Sequence, residues 1–136
     1  MTVYVLDSSA LIRFLDKESG WFRVKSILRD CIERRVEVRI SAIQWGEVAG
    51  NLRKRLGPSR QAEILASVLP SDATVVPATG ECAVRAAEIR MDRKLSYADA
   101  FALDLAMTSS DSVLVTADFG FKAVEDLARI EFLPAK

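Results

Sequence analysis

Val3-Tyr4-Val5-Leu6-Asp7 decides the fold of this chain. Four apolar or aromatic residues, two of them β-branched, read as a short buried strand, and a carboxylate ends it. The same pattern returns near the other end. Val113-Leu114-Val115 reads as a strand, and Asp118 follows after Thr116 and Ala117. If the two strands are parallel, both carboxylates emerge at one edge of the sheet, the edge where open α/β folds bind their ligands.

The segments between them alternate in type. Ser9–Leu15 reads as a short helix and Trp21–Arg34 as a longer one, with Trp21, Val24, Ile27, Leu28, Cys31 and Ile32 at helical spacing. Val36–Ile40 is the second strand. Ser41 opens the next helix, with Gln44 three residues on as a capping-box signature. That helix runs to about Leu56 and stops at Gly57-Pro58. Ser59 caps a further helix through Leu69. Thr74–Val76 reads as a third strand. Thr79 caps a helix to about Lys94, and Ser96 caps one to about Ser109. Ser112–Val115 is the fourth strand, Phe119–Asp126 a short helix, and Arg129–Leu133 a fifth strand. Strands separated by helices need crossover connections, which implies a mainly parallel sheet with helices on both faces. Residues 1–136 read as a single domain, with no repeat, linker or low-complexity tract.

Four acids sit at the edges of these elements: Asp7, Glu47, Asp99 and Asp118. Each has an innocent reading. Asp7 and Asp118 can cap the helices that follow them, Asp99 can favour a helix N-terminus, and Glu47 can be a solvated surface residue. Together they are harder to dismiss. Asp99 shares its helix face with Ala102, Leu103 and Ala106, so it points inward among apolar side chains, where an acid needs a partner or a cation. Glu47 lies one turn into the helix after the second strand, near the same sheet edge. Gly50 and Asn51 follow it on the same face, and the glycine would allow close approach of a backbone or phosphate. Clustered carboxylates repel one another unless a cation neutralises them. The chain has no histidine. The natural cation is therefore a hard, oxygen-seeking one, Mg²⁺ or Mn²⁺. The lack of histidine also excludes an imidazole acid–base ribonuclease and a histidine-nucleophile phosphodiesterase.

Nineteen Lys and Arg balance nineteen Asp and Glu, which argues against a nonspecific nucleic-acid coater. The charge is uneven, however. Residues 21–60 carry ten bases and four acids, an excess of six. The stretch from Arg34 to Arg60 is thus a candidate rim for flanking phosphates, or simply a set of solvated helix faces. Cys31 and Cys82 form no CxxC pattern and read as small buried hydrophobes, so a reducing cytoplasm is expected. Neither a signal peptide nor a membrane span is expected.

Four stretches carry a family resemblance: Tyr4-Val5-Leu6-Asp7-Ser8-Ser9-Ala10-Leu11-Ile12, Gln44-Trp45-Gly46-Glu47-Val48, Leu95-Ser96-Tyr97-Ala98-Asp99-Ala100 and Val115-Thr116-Ala117-Asp118-Phe119-Gly120-Phe121. In order and spacing the chain resembles the PIN-domain ribonucleases, and among them the small VapC toxins of VapBC toxin–antitoxin pairs. The resemblance implies a three-layer α/β sandwich with strand order 3-2-1-4-5. It implies that Asp7, Glu47, Asp99 and Asp118 hold one or two Mg²⁺ or Mn²⁺ ions, directly or through water, for the cleavage of RNA. Ser8 and Thr116 would orient a ligand, water or phosphate. Phe121 closes the family's Thr-x-Asp-x-x-Phe ending and is expected in the core. Asp104, directed toward Phe101 and Thr108, is left out of the site. A small antitoxin and a second copy of the chain are the implied partners. Two rival readings are a non-catalytic interaction module on the same fold and an aspartate-dependent phosphatase. The latter lacks the second acid expected two residues after Asp7.

Overall fold

The computed structural model describes residues 1–136. It contains β1 (Val3–Leu6), α1 (Ser8–Asp16), α2 (Trp21–Ile32), β2 (Glu37–Ser41), α3 (Ala42–Ser67), β3 (Thr74–Val76), α4 (Gly80–Arg93), α5 (Tyr97–Ala106), β4 (Ser112–Thr116), a 3₁₀ turn (Phe119–Val124) and β5 (Arg129–Phe132). The five strands form one sheet of order β3-β2-β1-β4-β5, and every pairing is parallel. β1 and β4 are neighbours at its centre, with Val5 opposite Leu114 and Leu6 opposite Val115.

Alternation along the strands feeds two cores. Leu6, Val38, Ile40 and Val115 pack with Ala10, Leu11, Val24, Ile27 and Leu52 of α1, α2 and α3. Val5 and Leu114 face the other way, against Leu103, Leu105 and Ala106 of α5. The central strands are buried on both faces, which is why they read as continuous apolar runs. Ala86, Ala100 and Phe101 seal the seam between α4 and α5.

The helices expected on either side of Gly57-Pro58 are present, as two stretches of Ala42–Ser67 broken at Gly57, where φ is 84° and ψ 172°. Proline forbids the residue before it the helical region, and glycine accepts a positive φ without strain. α5 ends at Ala106 rather than near Ser109. Ser41 does cap α3, accepting from the Ile43 N–H at 3.1 Å, but Gln44 does not complete a capping box. Its side chain is drawn elsewhere, as described below. No helix is long and apolar enough to cross a membrane.

Phe121 is fully buried and packs with Val5, Leu103 and Leu114. It pins the segment carrying Asp118 onto the sheet. Phe121→Ala is expected to lower unfolding free energy by about 3–5 kcal/mol, measurable by urea denaturation.

Candidate active site

β1 and β4 end side by side, so Asp7 and Asp118 leave the sheet at the same edge. Asp7 is 2% exposed. Its Oδ1 accepts from the Ala10 N–H at 2.9 Å and from the Ser9 hydroxyl at 2.7 Å. Its Oδ2 accepts from the Thr116 hydroxyl at 2.5 Å. Asp7 is thus the cap of α1 and a held inward carboxylate at once. Asp118 likewise caps the 3₁₀ turn, accepting from the Gly120 N–H at 2.8 Å, yet it remains exposed. Asp99 stands in the first turn of α5 and is half-buried. Glu47 lies in α3 and is exposed, with its Oε1 held by the Ser8 hydroxyl at 3.1 Å.

The four carboxylates feel one another. Burial pushes the pKa of Asp7 up to about 6, against the pull of its three hydrogen bonds, and the charge of Asp99 adds to the rise. Asp99 is raised as well, by burial first and then by Asp118 and Glu47. None of the four takes part in any of the chain's ion pairs. With the side chains as they stand, no three acids converge tightly enough to grip one ion. Like charges spread when nothing neutralises them, and Glu47, Asp99 and Asp118 have solvent to move through. An all-oxygen donor set with no Lys or Arg paired to it fits a hard divalent ion.

The hydroxyls take a different part from the one expected. Thr116 is fully buried. Its oxygen donates to Asp7 and accepts from the Asp118 N–H at 2.9 Å. It therefore joins the two acids instead of facing a ligand. Ser8 is engaged with Glu47. Ser9, not singled out from the sequence, ties Asp7 to the Ala117 N–H at 2.9 Å. A serine two residues after a strand-ending aspartate, beside a helix start, is the signal that could have found it.

Gln44 was also missed as a site element. It is fully buried. Its Oε1 accepts from the Ser8 N–H at 2.7 Å and its Nε2 donates to the Ala98 carbonyl at 2.6 Å. One side chain of α3 thereby fixes the starts of α1 and α5, each next to an acid. Gln44→Leu leaves the Ser8 N–H unpaired and removes the second bond of the Ala98 carbonyl. The expected cost is about 1–3 kcal/mol in denaturant unfolding.

Asp104 lies outside the cluster. It is buried, and its two oxygens take Arg85 Nε at 2.7 Å and Nη2 at 3.2 Å. The basic stretch is less free than its composition suggests. Arg34, Arg35, Arg39, Arg55 and Arg60 all have carboxylate partners. Arg53 and Lys54 do not. A Cβ added to Gly50 would meet nothing within 4 Å, so no close approach within the chain requires a glycine there. A hollow of about 790 Å³ lies at the far end of β4 and β5 around Ser112 and Arg129 and is lined by none of the four acids.

An all-parallel sheet of this order, with acids gathered at the carboxyl edge of its central strands, defines an α/β domain with an acidic ligand edge. The chain belongs to the PIN domain family, whose sequence profile matches residues 4–127. Solved structures with the same fold include VapBC2 from Rickettsia felis bound to a promoter DNA fragment, with TM-score 0.73, 15% identity and coverage of 98% of this chain and 100% of that one. The DNA-bound VapBC of Salmonella typhimurium has TM-score 0.69 and 20% identity, covering 97% and 98%. The sarcin-ricin-loop-cleaving toxin VapC20 of Mycobacterium tuberculosis has TM-score 0.73 and 20% identity, covering 96% and 99%. A comparison with curated proteins finds no match.

Proposed function

We propose that this chain is a divalent-cation-dependent endoribonuclease, the toxin of a VapC-type toxin–antitoxin pair, with residues 1–136 forming its single catalytic domain. One observation carries the reading: four carboxylates from four elements lie near one another's charge at the carboxyl edge of a parallel sheet, one of them 2% exposed, with no Lys or Arg paired to any of them. Such an arrangement is costly as pure structure and useful only to a group that binds cations. Family membership and the likeness to VapC structures support it.

Asp7, Glu47, Asp99 and Asp118 would hold Mg²⁺ or Mn²⁺. Held there, such an ion would lower the pKa of a water and offset charge on the departing oxygen of a phosphodiester. The chain supplies positioning. Thr116 and Ser9 fix the plane of the Asp7 carboxylate, Ser8 holds Glu47, and Gln44 holds the helices that carry the acids. The charge of the four acids would repel an RNA strand until neutralised, so cleavage is expected to depend steeply on cation. A small antitoxin offering a cationic side chain to the same acids would block it through a charge-assisted hydrogen bond. The active form is read as a homodimer, acting in the cytoplasm.

The test is cleavage of cellular RNA by the purified chain. Cleavage is expected with Mg²⁺ or Mn²⁺ and none in EDTA, with no rescue by monovalent salt. Full activity in EDTA would remove the carboxylates from the reaction. The interaction-module reading predicts no cleavage under any condition and no Mn²⁺ binding.

A further inference from the structure

Gln44, Val48 and Leu52 are the buried residues of α3, at positions i, i+4 and i+8. They form one helix face. An apolar side chain at position 44 would continue that face with nothing polar to satisfy. A buried amide is unfavourable unless its two ends are hydrogen-bonded. Here both are, since Oε1 accepts from the Ser8 N–H at 2.7 Å and Nε2 donates to the Ala98 carbonyl at 2.6 Å. An ionised carboxylate of the same size offers acceptors only, and an aliphatic chain offers neither group.

Both partners adjoin acids. The Ser8 N–H belongs to the peptide unit that starts at the Cα of Asp7, and the Ala98 carbonyl to the one that ends at the Cα of Asp99. A peptide unit is planar and stiff. Each acid's Cα is therefore tied to the same amide through a single rigid plane. The Ser8 N–H is also among the first N–H groups of α1, which a helix leaves without an internal partner. Glu47 follows Gln44 by three residues on α3, and the Ser8 hydroxyl meets its carboxylate at 3.1 Å. Asp118 is joined separately, through Thr116 to Asp7. Asp7, Glu47 and Asp99 are thus carried on main chain that one side chain holds together.

We propose that Gln44 is a positioning residue of the cation site, fixing the separation of Asp7 and Asp99 so that the site is held to the size of a small octahedral ion. The assignment rests on the cation-dependent nuclease reading and adds discrimination by ion size to it. Mg²⁺ demands near-ideal octahedral geometry with oxygens at about 2.0–2.1 Å, whereas Ca²⁺ takes oxygens at about 2.3–2.6 Å in adaptable arrangements. Slack between the two acids therefore costs the smaller ion more.

The experiment follows Mn²⁺ binding to the full chain by the electron paramagnetic resonance of the free ion, with Mg²⁺ and Ca²⁺ as competitors. Gln44→Met is close to glutamine in size and makes neither bond. Gln44→Asn keeps the amide but is one methylene too short to span both groups. Each variant is read where thermal melting shows it folded. Both are expected to weaken Mn²⁺ and Mg²⁺ about tenfold, the loss typical of removing an outer-shell partner, and Ca²⁺ by less than about threefold. A purely structural Gln44 would lower the melting temperature and leave the ion affinities of the folded protein unchanged, and that result overturns the assignment. An equal loss for all three ions overturns it too. So does rapid hydrogen exchange of the Ser8 amide in the metal-free parent, because the bond that ties Asp7 to Gln44 would then be missing. If neither variant folds, Gln44 is a structural residue and the assignment falls. A parent chain that binds no Mn²⁺ removes the cation site and the part of Gln44 in it. RNA cleavage by the parent is assayed in parallel. Cleavage together with parental ion affinities in the variants would leave the nuclease standing without this role for Gln44. Gln44-dependent ion binding without any cleavage would leave the positioning role and remove the nuclease.

Discussion

Asp7→Asn or Asp99→Asn is expected to cut RNA cleavage by more than about 100-fold, beyond the loss typical of mutating an outer-shell partner of a metal ligand. Neither is expected to cost stability in metal-free protein. Asparagine keeps the Oδ1 that accepts from the Ala10 N–H, and it caps a helix as well as aspartate does. What it removes is one of four charges that repel. The two roles of Asp7 can therefore be separated. Asp7→Asn should melt at the parental temperature or above in EDTA, whereas Asp7→Ala should lose the cap and about 1 kcal/mol. Cleavage assays with Mn²⁺ and thermal melts in EDTA, run on the same preparations, make the comparison. Parental cleavage by Asp7→Asn, or a drop of many degrees in its melting temperature, would show Asp7 to be a cap and nothing more. In cells the parent chain alone should arrest growth. Co-expression of the small protein encoded beside it should relieve the arrest, and Asp7→Asn should abolish it.

Stability of the metal-free protein should fall as pH rises through about 6. The Asp7 carboxyl titrates near 3.8 when unfolded and at about 6 in the folded chain. Below both values it is protonated in either state and contributes nothing to the difference. Between them the unfolded chain releases its proton and the folded chain keeps it, so each step up in pH favours unfolding. Above about 6 the penalty levels off at about 3 kcal/mol, from 1.36 kcal/mol per pKa unit. Asp99 shifts in the same direction. A cation bound to the charged form reverses the penalty. Mn²⁺ should accordingly raise the melting temperature strongly at pH 7.5 and little at pH 5. The parental stability minus that of Asp7→Asn, measured by urea denaturation from pH 4.5 to 8 without metal, isolates the Asp7 contribution. A flat difference across that range would mean that Asp7 is not desolvated as the geometry requires.

Much of this architecture was legible in one dimension. Val3–Leu6 and Val113–Val115 are apolar runs bounded by polar residues, because a central parallel strand is buried on both faces. Ser41, Thr79 and Ser96 mark helix starts, because a hydroxyl there accepts a backbone N–H that has no other partner. The shared sheet edge of Asp7 and Asp118 follows once β1 and β4 are parallel. The ends of helices were less legible. Whether α5 stops at Ala106 or continues to Ser109 is settled by where the chain must turn to enter β4, and no residue between marks the point.

Local pattern thus determined the kinds of elements, their order and the positions of Asp7, Glu47, Asp99 and Asp118 within them. Tertiary structure decided who meets whom. Gln44 looked like half of a capping box and instead spans 36 residues to Ser8 and 54 to Ala98. Asp104 pairs with Arg85, 19 residues away on a neighbouring helix. Arg13 reaches Pro134 across 121 residues. Helix and strand formation is governed by neighbours within a turn or two, so a short window of sequence carries it. The partner of a polar side chain depends on which elements pack together, and a buried group takes whichever complementary atom packing brings within about 3 Å.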